Sequence, residues 1–334
     1  MKKYITWGGI AVLLLVGCAA PTKMIGANYL QNHQVAMNSI QSRISLLHLK
    51  DIGANTVAFV PFLQQDAPDS IDVHLTDKVT DDQLRAGIRD AKALGFQVVL
   101  KPQIIVTGSW AGMIKMTDDY SWLQWFNNYA IAIEHYINIA SEEKVDIFVI
   151  GTELNQTAHL TSWQPLIARI RQHFGGKLTY AAHNVEGVRQ FNHWQLLDII
   201  SLTLYPSLGE VPERNAMSLH IRKVVGELRT ISRQYNKPLW IIELGIPSRH
   251  GAQLHPWEWH ESDIHSYPHD EELQALVLDL WLDALRGKWN HGVMLWCWSS
   301  NPNGGGSKDN GFILQNKRAE RVVACRWTGH CEPP

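Results

Sequence analysis

The chain has 334 residues, of which 45% are hydrophobic and 19% charged, with a formal net charge of −2. That balance is globular, supplies enough chain for one large domain or two small ones, and lacks the basic excess that would point to nucleic acid. The 14 tryptophans are many for this length. Exposed indole faces stack sugars or aromatic ligands, although most tryptophans in any chain pack in the core.

Residues 1–17 have the pattern of a secretory signal: Lys2 and Lys3, an apolar stretch from 5 to 16, then small residues. The stretch is too short to be read as a spanning helix. Its end, Leu15-Val16-Gly17-Cys18-Ala19, resembles the bacterial lipobox, in which the cysteine becomes the lipid-modified first residue of the mature chain. The resemblance implies a lipidated Cys18 with a short tether over 18–23, a membrane partner through that lipid, and a place in the cell envelope, Ala19 fitting the outer membrane. An ordinary cleavable signal with a chance cysteine is the competing reading. Cys325 and Cys331 flank a short polar segment in a tail over 325–334, which an oxidising compartment lets close into a small loop. Cys297 lies in an apolar run and reads as a buried free thiol.

From Met24 onward, apolar β-rich runs alternate with stretches of helical periodicity. A first strand is predicted at 24–28, then a helix carrying Ile40, Ile44, Leu47 and Ile52 and stopped by Gly53, then a second strand at 56–62. Thr80-Asp81-Asp82-Gln83 is a capping segment opening a helix that runs to Leu94 and ends at Gly95. The third strand, 97–103, finishes on the polar pair Lys101 and Gln103. A long amphipathic helix over 120–143 leads into a fourth apolar run, from Val145 to Thr152, that ends in Glu153. A helix at 161–174, a fifth strand at 177–184 ending in Asn184, an irregular helix near 188–197 and a sixth strand at 198–206 with Tyr205 follow. A helix at 217–235 precedes the seventh strand, where Leu239-Trp240-Ile241-Ile242 ends in Glu243. The remainder is a helix at 270–286, an eighth strand at 292–298 with Trp296, and a last helical piece at 316–324.

Eight strands, each followed by a helix or helix-like piece, predict an α/β fold: a single-domain (β/α)8 TIM barrel over 24–324. A doubly wound open sheet is disfavoured, because no glycine-rich phosphate loop follows the first strand. Glycines 304–306 lack the strand-to-helix context of such a loop and read as a flexible connection. In a barrel, Lys101, Gln103, Glu153, Asn184, Tyr205, Glu243 and Trp296 all fall at the C-terminal ends of strands, the face that carries active sites.

Glu243 is the anomaly of its strand, since a carboxylate at the end of a buried apolar run costs desolvation energy unless it is paired or used. A neighbouring Arg or a backbone amide would satisfy it, but the same pattern recurs at Glu153. Strand-helix units of roughly 30 residues fit three times between the two glutamates, placing them three strands apart. Glycoside hydrolysis needs such a pair: a neutral acid to protonate the leaving oxygen and an ionised carboxylate across the anomeric carbon.

Glutamates ending the fourth and seventh strands, with Tyr205 at the sixth and Trp296 at the eighth, resemble the clan of retaining (β/α)8 glycoside hydrolases. Within it the chain is most similar to glycoside hydrolase family 113, mainly β-mannanases. The likeness is carried by Gly53-Ala54-Asn55-Thr56-Val57, Leu100-Lys101-Pro102-Gln103, Ile150-Gly151-Thr152-Glu153-Leu154, and Asp309-Asn310-Gly311-Phe312 ahead of Lys317-Arg318-Ala319-Glu320. The resemblance implies Glu153 as general acid/base, Glu243 as nucleophile, Tyr205 as the hydrogen-bond donor that keeps Glu243 ionised, Trp296 as the floor of a sugar subsite, an oligo- or polysaccharide substrate, and no cofactor. Two departures stand out. Thr152 occupies the place where many clan members carry an Asn that contacts the sugar 2-hydroxyl, leaving Asn184 or Asn155 to supply that contact. Gln103 stands where a histidine is expected.

The loop from His255 to His269 is dense in His, Trp and acids, but its spacing matches no helical zinc pair and no metal is expected. Trp257 and Trp259 there, and Trp110 after the third strand, are candidate stacking platforms, or equally packing for their loops. Two rival readings remain: a barrel that binds envelope glycan without cleaving it, for which Thr152 leaves room, and, more weakly, a lyase or aldolase using Lys101 as a Schiff base.

Overall fold

The computed structural model describes residues 23–259 and 267–331. The signal, Cys18 and residues 260–266 of the His- and Trp-rich loop lie outside the described residues. Strands are β1 Met24–Leu30, β2 Thr56–Phe59, β3 Phe62–Gln65, β4 His74–Leu75, β5 Gln97–Leu100, β6 Gln103–Val106, β7 Ile147–Thr152, β8 Lys177–His183, β9 Ile200–Leu204, β10 Leu239–Leu244 and β11 Asn290–Ser299. Helices are α1 Ile40–Asp51, α2 Asp81–Ala93, α3 Asp119–Glu142, α4 Trp163–His173, α5 Asn184–Gln190, α6 Arg214–Tyr235, α7 Glu271–Ala284 and α8 Arg318–Thr328.

Eight of the strands close a barrel in the order β1-β11-β10-β9-β8-β7-β5-β2, every pair parallel. This is the predicted TIM barrel. Its interior is filled by Ala58, Val99, Ile147, Val149, Ala181, Trp240, Ile242 and Met294 among others, while alternate residues of the same strands join the larger apolar layer under the helices. Two-residue alternation separates the layers. Neighbouring backbones approach so closely that a Cβ on Gly26 would lie 1.7 Å from the Thr56 carbonyl oxygen, which restricts that position to glycine. Helix α2 opens on the predicted capping box, Thr80 and Gln83 each satisfying the other's backbone amide.

Three details differ from expectation, the first being that the irregular helix expected near 188–197 is α5, which begins at Asn184, the residue expected to end the fifth strand, and stops at Gln190. The second and third predicted strands each divide at a proline: β2 stops before Pro61 and β5 before Pro102. Proline has no amide hydrogen to continue the ladder. Beyond it the chains leave the barrel, and β3 and β6 pair in parallel, with β4 antiparallel on the far side of β3, as a small second sheet. The last helix also runs past 324, through Cys325 to Thr328, and ends on Gly329 in the left-handed region. Cys325 and Cys331 form a disulfide; Cys297 is free and buried.

The Asp309 to Lys317 segment closes the top of β11. The Lys317 ammonium is buried and donates to Asp309 Oδ1 at 2.7 Å, Ser248 Oγ at 2.8 Å and the Gly311 carbonyl at 3.1 Å. This clamp ties the loop after β10 to the loop after β11 and holds Phe312, which packs with Val60, Tyr205, Trp296 and Cys297. Breaking a buried ion pair from one side leaves its partner uncompensated. Lys317→Met is therefore expected to cost about 3 kcal/mol, read in urea unfolding as a lower midpoint at unchanged slope. A midpoint equal to that of the parent would show that the pair carries no net stability.

Candidate active site

Glu243 reaches the barrel interior through a break in alternation. Trp240 and Ile242 face inward, Leu239, Ile241 and Leu244 face the helices, and the ladder to β9 is irregular between Ile241 and Glu243. The bulge turns two successive side chains, Ile242 and Glu243, to the same side, as bulges near active sites do. Asn28 steadies it, its amide donating to the Ile242 and Leu295 carbonyls at 2.9 and 3.2 Å. Strand β7 is likewise irregular between Val149 and Thr152, just before Glu153.

The Glu243 carboxyl is buried and surrounded by donors. Lys101 Nζ and Gln103 Nε2, the latter at 2.7 Å, donate to Oε1, and the Tyr205 hydroxyl donates to Oε2 at 2.9 Å. Lys101 is itself fully buried, its ammonium 5.1 Å from the centre of the Trp296 ring. Burial first, and then the charge on Glu153, push the Glu243 carboxyl above its usual value, while Lys101 and Tyr205 pull it down. Burial lowers the Lys101 ammonium against the attraction of Glu243 and Glu153. Burial and the Glu243 charge raise the Tyr205 phenol far up, so it keeps its proton and donates. Because all of the neighbours donate, the ionised pair is the state that satisfies every group. Lys101 is a paired ammonium, which removes the free amine a Schiff base would require.

Glu153 has neutral partners on one oxygen. Thr203 Oγ1 at 2.5 Å and His183 Nδ1 at 3.0 Å both meet Oε1. Burial acts to raise this carboxyl, while the hydrogen bonds from His183 and the Thr203 hydroxyl and the Lys101 charge pull it down. Its backbone has φ of +56° and that of Asn184 +52°. For a glutamate that left-handed conformation costs about 1–2 kcal/mol, strain of the kind that gathers at functional sites.

The structure thus gathers Glu153, Glu243, Lys101, Gln103, Tyr205 and Trp296 at one mouth. Asn184 is present but engaged: its Oδ1 accepts from the Tyr205 amide at 2.9 Å and its Nδ2 meets His183 Nε2 at 3.0 Å. Asn155 Oδ1 and Thr152 Oγ1 are buried without a hydrogen-bond partner among the described residues. Trp110 lies against His183, ring centres 4.9 Å apart, and its own ring covers Gly112, where a Cβ would meet it at 2.2 Å. Of the loop tryptophans, Trp259 joins the site, stacked on Phe312 at 5.4 Å and edge-on to Trp296 at 6.3 Å, whereas Trp257 packs on His255. Sequence reasoning missed His183 and Thr203. Their signal was position alone, at the ends of the fifth and sixth barrel strands. Among the described residues no group of His, Cys, Asp and Glu is arranged to hold a metal.

A closed parallel barrel with two acidic side chains at its C-terminal mouth has the architecture of a barrel glycoside hydrolase. The chain belongs to Glycoside Hydrolase Family 113, whose family model matches residues 30–317, and it is accordingly a glycoside hydrolase. Among solved structures it is similar to the GH113 β-mannanase AaManA from Alicyclobacillus acidocaldarius in complex with ManMIm, at 25% identity and a TM-score of 0.80 over 92% of this chain and 97% of that one. A further GH113 β-1,4-mannanase shares 25% identity, with a TM-score of 0.79 over 92% of this chain and 100% of the other. A GH5_18 protein from Streptomyces cattleya in complex with GlcNAc shares the fold alone, at 15% identity and a TM-score of 0.61 over 95% of this chain and 83% of that one. Among curated proteins none matches.

If the Lys101 ammonium is the counter-charge of Glu243, Lys101→Met must raise the pH at which that carboxyl titrates, since the charged form loses its cation in a site already dry. Carbon-13 spectra of glutamate-labelled protein, assigned with Glu243→Gln, measure this. A Glu243 titration unmoved by the substitution would contradict the pairing.

Proposed function

We propose that the enzyme hydrolyses β-1,4-linked mannan or its oligosaccharides by double displacement, with Glu243 as nucleophile and Glu153 as general acid/base. The observation that carries the assignment is the difference between their partners. Glu243 is paired with the Lys101 ammonium and held by two further donors, as a nucleophile that must remain ionised requires, while Glu153 keeps one oxygen free of donors among the described residues and able to exchange a proton. The choice of mannan rests on the β-mannanase similarities at 25% identity.

In the first step a Glu243 oxygen forms a bond to the anomeric carbon. The bond to the leaving oxygen breaks with its electron pair, and that oxygen takes the Glu153 proton. In the second, a water gives its proton to Glu153 and its hydroxyl to the anomeric carbon, releasing Glu243. Trp296 floors the subsite at the cleavage point, and Trp259 extends the aromatic wall. Gln103 holds Glu243 instead of a sugar.

Glu153→Gln is expected to lower kcat on β-1,4-mannan by about 10²- to 10⁴-fold, and Glu243→Gln by at least as much. The parent should release the β-anomer first by proton NMR. First release of the α-anomer, or full activity in either variant, would defeat the assignment.

We further propose that the enzyme is held in the bacterial cell envelope, in the outer membrane, by a lipid on Cys18. The reading is supported by Lys2 and Lys3, the apolar run, and Leu15-Val16-Gly17-Cys18-Ala19. Among the described residues no helix is long and apolar enough to cross a membrane. Labelled palmitate should enter the parent and not Cys18→Ala, and the variant should leave the membrane fraction. Equal labelling of both would refute a lipid on Cys18.

A further inference from the structure

His183 sits on the oxygen of Glu153 that Thr203 also occupies, and its ring state follows from groups whose roles are unambiguous. The Tyr205 backbone amide is a donor and lies 2.9 Å from one end of the Asn184 side chain, so that end is the carbonyl oxygen and the other is the NH2. The NH2 faces His183 Nε2 at 3.0 Å. An NH2 offers only protons, so Nε2 must be the unprotonated nitrogen. The ring proton therefore sits on Nδ1, which points at Glu153 Oε1 from 3.0 Å. Thr203 Oγ1 donates to the same atom at 2.5 Å; its other acceptor, the Ala182 carbonyl, is at 3.4 Å. Trp110 lies against the imidazole, the two rings tilted with centres 4.9 Å apart. Among the described residues no donor reaches Glu153 Oε2.

We infer that His183 is a positioning residue for the acid/base: a neutral imidazole, fixed by Asn184 with its proton on Nδ1, which with Thr203 ties down Oε1 of Glu153 and so leaves Oε2 as the atom that gives and retakes the catalytic proton. This rests on Glu153 being the general acid/base. During glycosylation the Oε2 proton passes to the leaving oxygen as that oxygen receives the electron pair of the broken bond. The carboxylate that forms is stabilised by the donors already on Oε1, and neither ring nitrogen of His183 gains or loses a proton. Two fixed donors on one oxygen also hold the carboxylate plane, so that the other oxygen keeps one direction relative to the bound sugar.

The side-chain nitrogen of an asparagine at position 183 can take the place of Nδ1 and donate likewise, whereas leucine fills the space and donates nothing. With β-1,4-mannopentaose, whose leaving group needs a proton, His183→Leu is expected to lose about 10²-fold in kcat with KM little changed, and His183→Asn to recover most of that loss. With 2,4-dinitrophenyl β-mannobioside, whose leaving group needs none, kcat/KM of both variants should stay within about fivefold of the parent. Loss of equal size on both substrates, or an asparagine variant no better than leucine, overturns the proposal. A nitrogen-15 spectrum of the histidine-labelled parent tests it without a variant: His183 must show a protonated Nδ1 and a bare Nε2, and the opposite tautomer or an imidazolium refutes it. Glu153→Ala separates this from the reading beneath it. If azide does not accelerate that variant on the dinitrophenyl substrate and yield the β-mannobiosyl azide, Glu153 is not the acid/base. If it does, and the His183 results fail, only the role of His183 falls.

Discussion

An ammonium and a carboxylate sealed together at the top of the barrel set the terms for the rest of the site. Lys101 follows β5 and Glu243 lies in β10, strands separated by β7, β8 and β9 in the closed order, so their contact spans the mouth. Either charge buried alone would cost several kcal/mol, and the pair is tolerable because further donors also bind the carboxylate. Gln103, two residues beyond Lys101, and Tyr205 supply them. Moving any one of these segments leaves a buried charge under-satisfied, which makes the charge pair a constraint on how three parts of the chain are placed relative to one another.

Strict alternation packs a barrel well but gives each strand one side chain in two for the interior, and the last inward place would fall on Ile242 or Leu244. The irregular ladder around Glu243 resolves this by turning two neighbours inward, at the cost of a gap in backbone pairing that the buried Asn28 amide fills. The break before Glu153 does the same work on β7, and the left-handed backbone at Glu153 completes the turn. Polar chemistry at the mouth and apolar packing below thus come from one strand through a local change of register. The dry interior beneath strengthens every electrostatic contact above it.

Most of the barrel was legible because the eight runs are apolar, short and separated by helical periodicity, and because Glu153 and Glu243 break that pattern at matching places. The second sheet was not, since Thr56 to Phe62 and Gln97 to Gln103 each read as one apolar run. Pro61 and Pro102 were the available signal, each marking where a strand must leave the ladder. The last helix was ended too early for a related reason: Ala324 closed the apolar pattern, but Gly329 marks the cap. Tyr205 on Glu243 followed from the family resemblance, whereas His183 did not, for a polar residue at a strand end has no pattern of its own. Its meaning comes from Asn184 and Glu153, which only the folded chain brings together.

The two carboxyls differ most in what remains for a substrate to change. The Glu243 side chain is 5% exposed and gains little further burial when a sugar arrives, and its cation stays with it. That of Glu153 is 20% exposed, with Oε2 free of protein donors among the described residues. The donors on its Oε1 draw this carboxyl down, which by itself suits a base better than an acid. A pyranose ring seated over the mouth removes water from this group and scarcely from the other, and loss of water favours the neutral form. Under the roles proposed for the two carboxyls, a bound sugar therefore raises Glu153, which is to donate the proton, and leaves Glu243, which is to attack, ionised, so that the two roles separate most fully with sugar in place.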